Sequence, residues 1–299
     1  MTDLQSITQE EDAPSVFLRL VTILFLALMG TFVASLLVQG LSQFMGMDYL
    51  ETISNLKENA PNKEKNFIKS ALSISHLCTF ILPSLIFLWW TYGKHWKKSV
   101  HLAKAPSWTN SLLGGLLLLL AFPFVQFIFS LNKKLPLPTW AIEQEDLINT
   151  TINHLLQVQA TPDLFFNLLT IAVLPAIGEE LLFRGIIQTN LEKGLKKPHL
   201  AIWLTALIFS FIHFQFQGFI PRVLLGALLG YLFLWSRNLW VPIIAHLIYN
   251  ASQIFLQYAH QKGALGMDLN EIETVPIWLV VLSIGGMFIV GRFLYSRRV

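Results

Sequence analysis

The chain has 299 residues, of which 54% are hydrophobic and only 13% are charged, and its mean hydropathy is +0.56. Soluble domains carry about 25% charged residues, so this composition excludes an ordinary soluble fold and indicates an integral membrane protein. The net charge of +3 is small and is spread over the loops, which argues against a nucleic-acid partner.

Apolar segments long enough to cross a bilayer, which takes about 20 residues, recur along the chain. The first of them is too long for the core of a cleaved signal peptide and is predicted to be a retained helix. The predicted spans are 16–44, 67–92, 109–131, 162–188, 199–215, 218–236, 239–258 and 275–295. A short interfacial helix is predicted within 135–160, where leucines and isoleucines recur at helical spacing. The sequence therefore predicts an all-α, polytopic membrane protein with about eight transmembrane helices.

Loop charges predict the orientation of the chain, because Lys and Arg are enriched on the cytoplasmic side. Basic residues lie in alternate loops and in the C-terminal tail: Lys94, Lys97, Lys98, Lys104, Lys193, Lys196, Lys197, Arg237, Arg297 and Arg298. Acidic residues lie in loops between them: Glu143, Glu145, Asp146, Asp268, Glu271 and Glu273. In an eight-helix arrangement all the basic segments share one side, which predicts that both termini are cytoplasmic.

Ionisable groups inside the predicted spans are the strongest functional signal. An ionised carboxylate at the bilayer centre costs about 3 kcal/mol, so such groups are usually paired and often functional. The segment "GEELLFRG" carries Glu179, Glu180 and Arg184. Glu180 and Arg184 are four residues apart and share a helix face, so we expect them to pair. Glu179 is rotated by about 100° and is left free to face another helix.

Two later segments add polar groups that are able to meet Glu179. His213 lies in "FSFIHF", while His246 and Asn250 in "AHLIYN" are four residues apart and point the same way. Pro175 and Gly178 are expected to loosen the glutamate helix and allow close approach of a neighbour. Helical rise from the loops predicts that these groups meet in one cavity in the cytoplasmic half of the membrane.

These residue types support two chemistries for hydrolysing an amide. A carboxylate and an imidazole can hold a water and take its proton, while a second imidazole and an amide donate hydrogen bonds to an oxyanion. Alternatively, His213, His246 and Glu179 form a ligand set for Zn²⁺ with an open position for water. The sequence leaves both open, and Asn250 suits the oxyanion role in either case, because an amide is a good hydrogen-bond donor and a poor zinc ligand.

The ordered motifs "EELLFR", "FSFIH" and "HLIYN" on successive late helices resemble the CPBP intramembrane proteases. That family includes the type II CAAX prenyl endopeptidases, which are Rce1-like, and the bacteriocin-processing or immunity proteins of the Abi group. The resemblance covers about residues 162–258 and implies a peptidase, called a metalloprotease by some and glutamate-dependent by others. It implies that Glu179 and His213 activate water, that His246 and Asn250 form the oxyanion site, and that Glu180 and Arg184 support the helix.

The resemblance divides the chain into N-terminal helices with the interfacial segment (1–161), catalytic core helices (162–258) and a C-terminal loop with the last helix (259–299). The expected partner is a membrane-associated, prenylated or bacteriocin-like peptide, reached from the cytoplasm or the inner leaflet of a bacterial inner membrane. No cofactor is required by the motifs beyond the optional zinc. A non-catalytic immunity or scaffold protein and a cation- or proton-coupled transporter are the alternatives, since buried carboxylates and histidines also build relays.

Overall fold

A computed structural model describes residues 13–264 and 275–298, and within these ranges the chain forms helices and no strands. The predicted acidic residues Asp268, Glu271 and Glu273 lie outside the described residues. In chain order the helices are α1 (Ala13–Met45), α2 (Tyr49–Ser54), α3 (Asn62–Ser99), α4 (Trp108–Asn132), α5 (Thr139–Leu156), α6 (Thr161–Leu195), α7 (Pro198–Phe211), α8 (Phe219–Ser236), α9 (Trp240–Gln261) and α10 (Ile277–Ser296).

Among the described residues, six helices are long and apolar enough to cross a membrane: α1, α3, α4, α6, α8 and α10. The protein is therefore an all-α integral membrane protein, but the predicted count of eight spans is not confirmed. Helix α7 has 14 residues, which is about 21 Å and shorter than a hydrocarbon core of about 30 Å. Helix α9 is long enough at 22 residues, but its polar residues lower its hydropathy below that of a spanning helix.

Helices α6 and α8 form the centre of the structure. Half of the most apolar window of each is buried, whereas the corresponding share is 17% in α1 and α10. The largest buried cluster joins α6 residues such as Phe183 and Ile186 to Phe209 on α7 and Phe233 on α8. The outer helices present exposed apolar side chains such as Phe25 and Phe288, as expected where lipid replaces water around the protein.

Two of the long helices depart from regular α geometry. Helix α3 contains a π-helical segment at Leu77–Ile81, and α6 contains two, at Leu168–Val173 and Leu181–Gln188. The short α-helical segment Leu174–Glu180 lies between the two in α6. Such π segments are rare and frequently occur at functional sites. They enclose the two glutamates that the sequence identifies.

Candidate active site

Helix α3 packs closely against α6 at the residue that precedes the two buried glutamates. Pro175 lies in the first turn of the segment Leu174–Glu180, at its junction with the preceding π segment. A side chain at Gly178 would meet Ile81 Cγ1 at 2.9 Å and Phe80 Cβ at 3.0 Å. The close approach predicted for Gly178 is confirmed, since even one added methyl group would crowd α3 at this point. Glu179, the next residue, is only 5% exposed.

The predicted pair between Glu180 and Arg184 forms, with Arg184 Nη1 2.7 Å from Glu180 Oε1 and both side chains fully buried. The second terminal nitrogen of Arg184 donates to the carbonyl of Gly226 on α8 at 2.7 Å. Arg184 also lies over the ring of Phe209, 5.2 Å from its centroid. One guanidinium therefore fastens α6 to both α7 and α8 in a region where water is scarce.

Glu180 has a second partner that the sequence did not reveal. His246 Nδ1 on α9 lies 2.8 Å from the same Oε1 atom that Arg184 contacts. A carboxylate oxygen accepts both bonds, so the Nδ1–H of His246 donates to Glu180 and the ring orientation is fixed. Helical spacing identified the partner within α6, whereas a partner on another helix depends on how α9 packs.

The fixed imidazole presents its other nitrogen to Glu179. His246 Nε2 lies 4.0 Å from Glu179 Oε2, which is too long for a direct hydrogen bond. One water placed about 2.8 Å from each atom satisfies that separation. A carboxylate and an imidazole nitrogen on either side of one water are the components that general-base hydrolysis needs.

His213 lies in the loop that follows α7. Its Nδ1 is 2.6 Å from the carbonyl oxygen of Phe209, and its ring contacts the Phe209 ring edge-on at 4.8 Å. Arg222, His76 and His246 lie close enough to act on it electrostatically. Among the described residues, no hydrogen bond or ion pair joins His213 to Glu179, and the imidazole that faces Glu179 at 4.0 Å is that of His246.

Asn250 lies one turn beyond His246 and fastens α9 to the same helix. Its Nδ2 donates to the carbonyl of Ile171 at 3.2 Å, and Ile171 belongs to the first π segment of α6. His246 and Asn250 thus both bond α6 in this structure, as polar groups between membrane helices commonly do. The amide of Asn250 carries a second N–H, which is available for an oxyanion.

Three further polar residues near the site were not identified as functional from the sequence. His76 on α3 has a buried Nδ1 without a hydrogen-bond partner and is electrostatically coupled to His246. Arg222 lies close enough to act on both Glu179 and Glu145. Glu145 was interpreted as a loop charge that reports topology, yet it is only 2% exposed. For Arg222, the sequence signal that points to a functional role is a single charge within an apolar segment.

The site residues lie further apart than the ligands of one zinc ion would. Zinc bound tetrahedrally at about 2.0–2.1 Å holds its ligand atoms about 3.4 Å apart, whereas Glu179 Oε2 and His246 Nε2 are 4.0 Å apart. Over residues 13–264 and 275–298, no three His, Cys, Asp or Glu side chains converge closely enough to hold a metal ion. The arrangement of these side chains does not fit a zinc site.

Comparison with protein families identifies the part of the chain that carries these residues. Residues 161–252 match the family described as type II CAAX prenyl endopeptidase, Rce1-like. The match includes all three motifs and therefore Glu179, Glu180, Arg184, His213, His246 and Asn250. The resemblance stated from the motifs is confirmed over this range, and it supports a membrane peptidase role.

Two curated relatives come from Bacillus subtilis (strain 168). The chain is 35% identical to "Uncharacterized protein YpbD" over 89 residues, which is 28% of this chain and 42% of that protein. It is 24% identical to "Putative membrane peptidase YdiL" over 132 residues, which is 44% of this chain and 49% of that protein. The chain thus aligns with less than half the length of either relative, and no solved structure matches it. The helices that assemble the buried glutamate–histidine cluster therefore lie in the part of this integral membrane protein that matches the Rce1-like family.

Proposed function

We propose that this protein is an intramembrane endopeptidase that hydrolyses a peptide bond with a glutamate-activated water. The observation that carries the proposal is the buried Glu179 carboxylate facing His246 Nε2 at 4.0 Å. Three ionisable groups of α6 are nearly or fully buried in the bundle, an expensive arrangement that membrane proteins usually keep for function. The Rce1-like match over the same residues supports the same reaction class.

In the proposed reaction, Glu179 accepts a proton from a water while that water's oxygen attacks the carbonyl carbon of the scissile bond. The peptide C=O becomes an oxyanion, and the proton held by Glu179 then passes to the leaving nitrogen as the C–N bond breaks. A general base of this kind contributes about 10²–10⁴-fold to the rate. His213 is proposed to orient the water together with Glu179, as the family resemblance implies.

His246 and Asn250 are proposed to stabilise the oxyanion. Because Nδ1–H already donates to Glu180, donation from Nε2–H to an oxyanion requires the protonated ring. Arg184 and Glu180 support this arrangement by fixing where that ring lies. One oxyanion donor is worth about 10²–10³-fold in turnover.

The proposed substrate is a membrane-associated, prenylated or bacteriocin-like peptide that enters from the cytoplasm or the inner leaflet of a bacterial cell membrane. This assignment rests on the family description, which names prenyl endopeptidases, and on the charges of the basic loops, from which we propose that both termini face the cytoplasm. The bilayer is the other partner, and no nucleic acid is involved. We propose the glutamate-dependent mechanism without metal, because the ligand distances do not suit zinc.

The test is cleavage of a quenched-peptide library, with and without a prenyl group, by the full chain in lipid nanodiscs. Glu179→Gln keeps the shape of the side chain and removes its basicity, and Glu143→Gln is the matched control because Glu143 is exposed. We expect the native protein and the control to cleave alike and Glu179→Gln to lose about 10²–10⁴-fold. Native turnover in Glu179→Gln would overturn the proposal that Glu179 activates the water, whereas no cleavage by the native protein would favour a scaffold or transporter role.

Metal dependence is read on the same samples. Bound zinc is measured by mass spectrometry before and after chelation, and turnover is measured alongside it. We expect turnover to survive chelation. Stoichiometric zinc, with turnover lost on chelation and restored by added zinc, would replace the glutamate-only mechanism by the metal mechanism.

A further inference from the structure

The loop at residues 212–218, between α7 and α8, carries His213 and adopts a conformation that needs support. Phe214 has a φ of +51°, in the left-handed region that bulky residues rarely adopt. Ser210 Oγ donates to the carbonyl of Phe219 at 2.8 Å and closes the base of the loop. A strained backbone of this kind persists only where its surroundings fix it, so the neighbours of the loop decide where His213 lies.

Glu145 of α5 supplies the strongest support. Its Oε2 accepts the N–H of Gln217 at 2.7 Å, and its Oε1 accepts the N–H of Gly218 at 2.9 Å. The side chain is 2% exposed, so these bonds form where water does not compete. Charge-assisted hydrogen bonds are about twice as strong as neutral ones, and both carboxylate oxygens are used on one short stretch of backbone.

Two further helices hold the carbonyl side of the same loop. Asn132, at the end of α4, donates Nδ2 to the carbonyl of Phe216 at 2.7 Å. Arg222 of α8 donates to Gln215 twice, at 2.6 Å to the side-chain oxygen and at 3.3 Å to the carbonyl. Buried backbone groups of an irregular loop need hydrogen-bond partners, and here the partners come from elements outside the Rce1-like match as well as inside it.

Gly218 allows the two charged side chains to approach the loop together. A Cβ at this position would lie 2.9 Å from Arg222 Nη2 and 3.4 Å from Glu145 Oε1. The carboxylate and the guanidinium thus both lie next to the position that a side chain at residue 218 would occupy. A charge that served only to orient the chain in the membrane needs no such packing.

We propose that Glu145 is a positioning residue that fixes the 212–218 loop and thereby holds His213 at the reaction site. The inference rests on the proposed function for its catalytic consequence, while its structural part stands on the hydrogen bonds alone. Helix α5, which the sequence predicts to be interfacial and which lies outside the Rce1-like match, thereby contributes to catalysis through the loop that it holds.

The test compares Glu145→Ala, Glu145→Gln and the exposed control Glu143→Gln in the full chain in nanodiscs. Glu145→Gln keeps one acceptor oxygen and Glu145→Ala keeps none, so we expect the effect on the loop to be smaller in Glu145→Gln than in Glu145→Ala. Hydrogen exchange of the peptide that spans 212–218 reads the loop directly and needs no activity. Turnover is measured in parallel as kcat and KM on the substrate that the native protein cleaves.

We expect exchange in the loop to rise at least about tenfold in Glu145→Ala, less in Glu145→Gln and not in Glu143→Gln. A misplacement of about 1 Å costs up to about 10²-fold in rate, so kcat should fall about 10- to 100-fold in Glu145→Ala while KM stays within about twofold. A general loss of fold would instead raise exchange in every helix.

Unchanged exchange in Glu145→Ala, or faster loop exchange with native kcat, would overturn the proposal. Retained turnover in Glu179→Gln would instead overturn the proposed function, and the exchange data would still decide whether Glu145 fixes the loop. The two failures are therefore distinguishable.

Discussion

Replacing Arg184 by methionine tests how the buried charges support each other. Arg184 and Glu180 are both 0% exposed and 2.7 Å apart. The change leaves the Glu180 carboxylate with His246 as its remaining partner and removes one donor from the carbonyl of Gly226. The apolar methionine fills most of the volume of the arginine side chain. The decrease in the free energy of unfolding therefore measures the loss of the charge and not the formation of a cavity.

The expected loss in the free energy of unfolding is about 3–5 kcal/mol, the cost of breaking a buried ion pair by removing one partner. Because His246 still donates a hydrogen bond to Glu180 in the variant, we expect a loss near the lower end of that range. Replacing both charges, as in Glu180→Gln with Arg184→Met, removes both members of the ion pair and leaves neither of them unpaired, so it should cost less than the single change. The positions are in contact, so their effects are not additive.

The single cysteine of the chain is a natural reporter for this experiment. Cys78 is 6% exposed in the π segment of α3, so a thiol reagent reaches it only when the bundle opens. When labelling tracks the open population, 3–5 kcal/mol corresponds to a rate increase of roughly 10²- to 10⁴-fold. Arg292→Met is the matched control, because Arg292 is exposed on α10 and should change the rate little.

A labelling rate in Arg184→Met that stays within about threefold of the Arg292→Met rate, well under 1 kcal/mol, would refute this reasoning. So would a double variant less stable than the single one, because that result would show that the carboxylate does not need the guanidinium.

Two further predictions use the same reporter. Gly178→Ala places a Cβ 2.9 Å from Ile81 Cγ1 and should lower the free energy of unfolding by about 1–3 kcal/mol through overpacking. Gly40→Ala is the control, because Gly40 has open space around it and the change should not lower the stability. Equal labelling rates in the two variants would contradict the close approach of α3 to α6. Burial, assisted by the charge of Arg237, lowers the pKa of His101. At His101 the folded state then binds fewer protons than the unfolded state. The stability that the neutral His101 contributes is therefore fully present above about pH 6.5 and is lost as the pH falls below that value. His101→Asn, which suits the positive φ of +58° there, should flatten the dependence of labelling rate on pH, and an unchanged slope would count against it.

The sequence alone predicted the class of protein and the local pairs. Long apolar segments predict a bundle of membrane helices, because backbone N–H and C=O groups in a bilayer must form hydrogen bonds within the protein and a helix forms them within one segment. The pair of Glu180 with Arg184 followed from a spacing of four residues, since that spacing fixes neighbours on any α-helix. The order of the three motifs predicted the Rce1-like resemblance, which the family comparison confirms over residues 161–252.

The number of membrane-spanning helices could not be predicted as well, because hydropathy and length do not reveal how a segment packs. The segment 199–215 was predicted to cross the membrane, but its helix ends at Phe211 and continues as the loop that holds His213. The roles of the individual site residues and the division of the chain into three regions stay predictions.

Contacts between helices were decided by the tertiary structure. Helical spacing cannot show that Glu180 is shared by Arg184 and His246, because the second contact depends on where α9 packs against α6. Nor can it show that Glu145, a charge in an ordinary amphipathic helix, turns inward to two amides of a loop 72 and 73 residues later. Periodicity fixes which residues share a face of one helix, whereas packing between helices decides what that face meets.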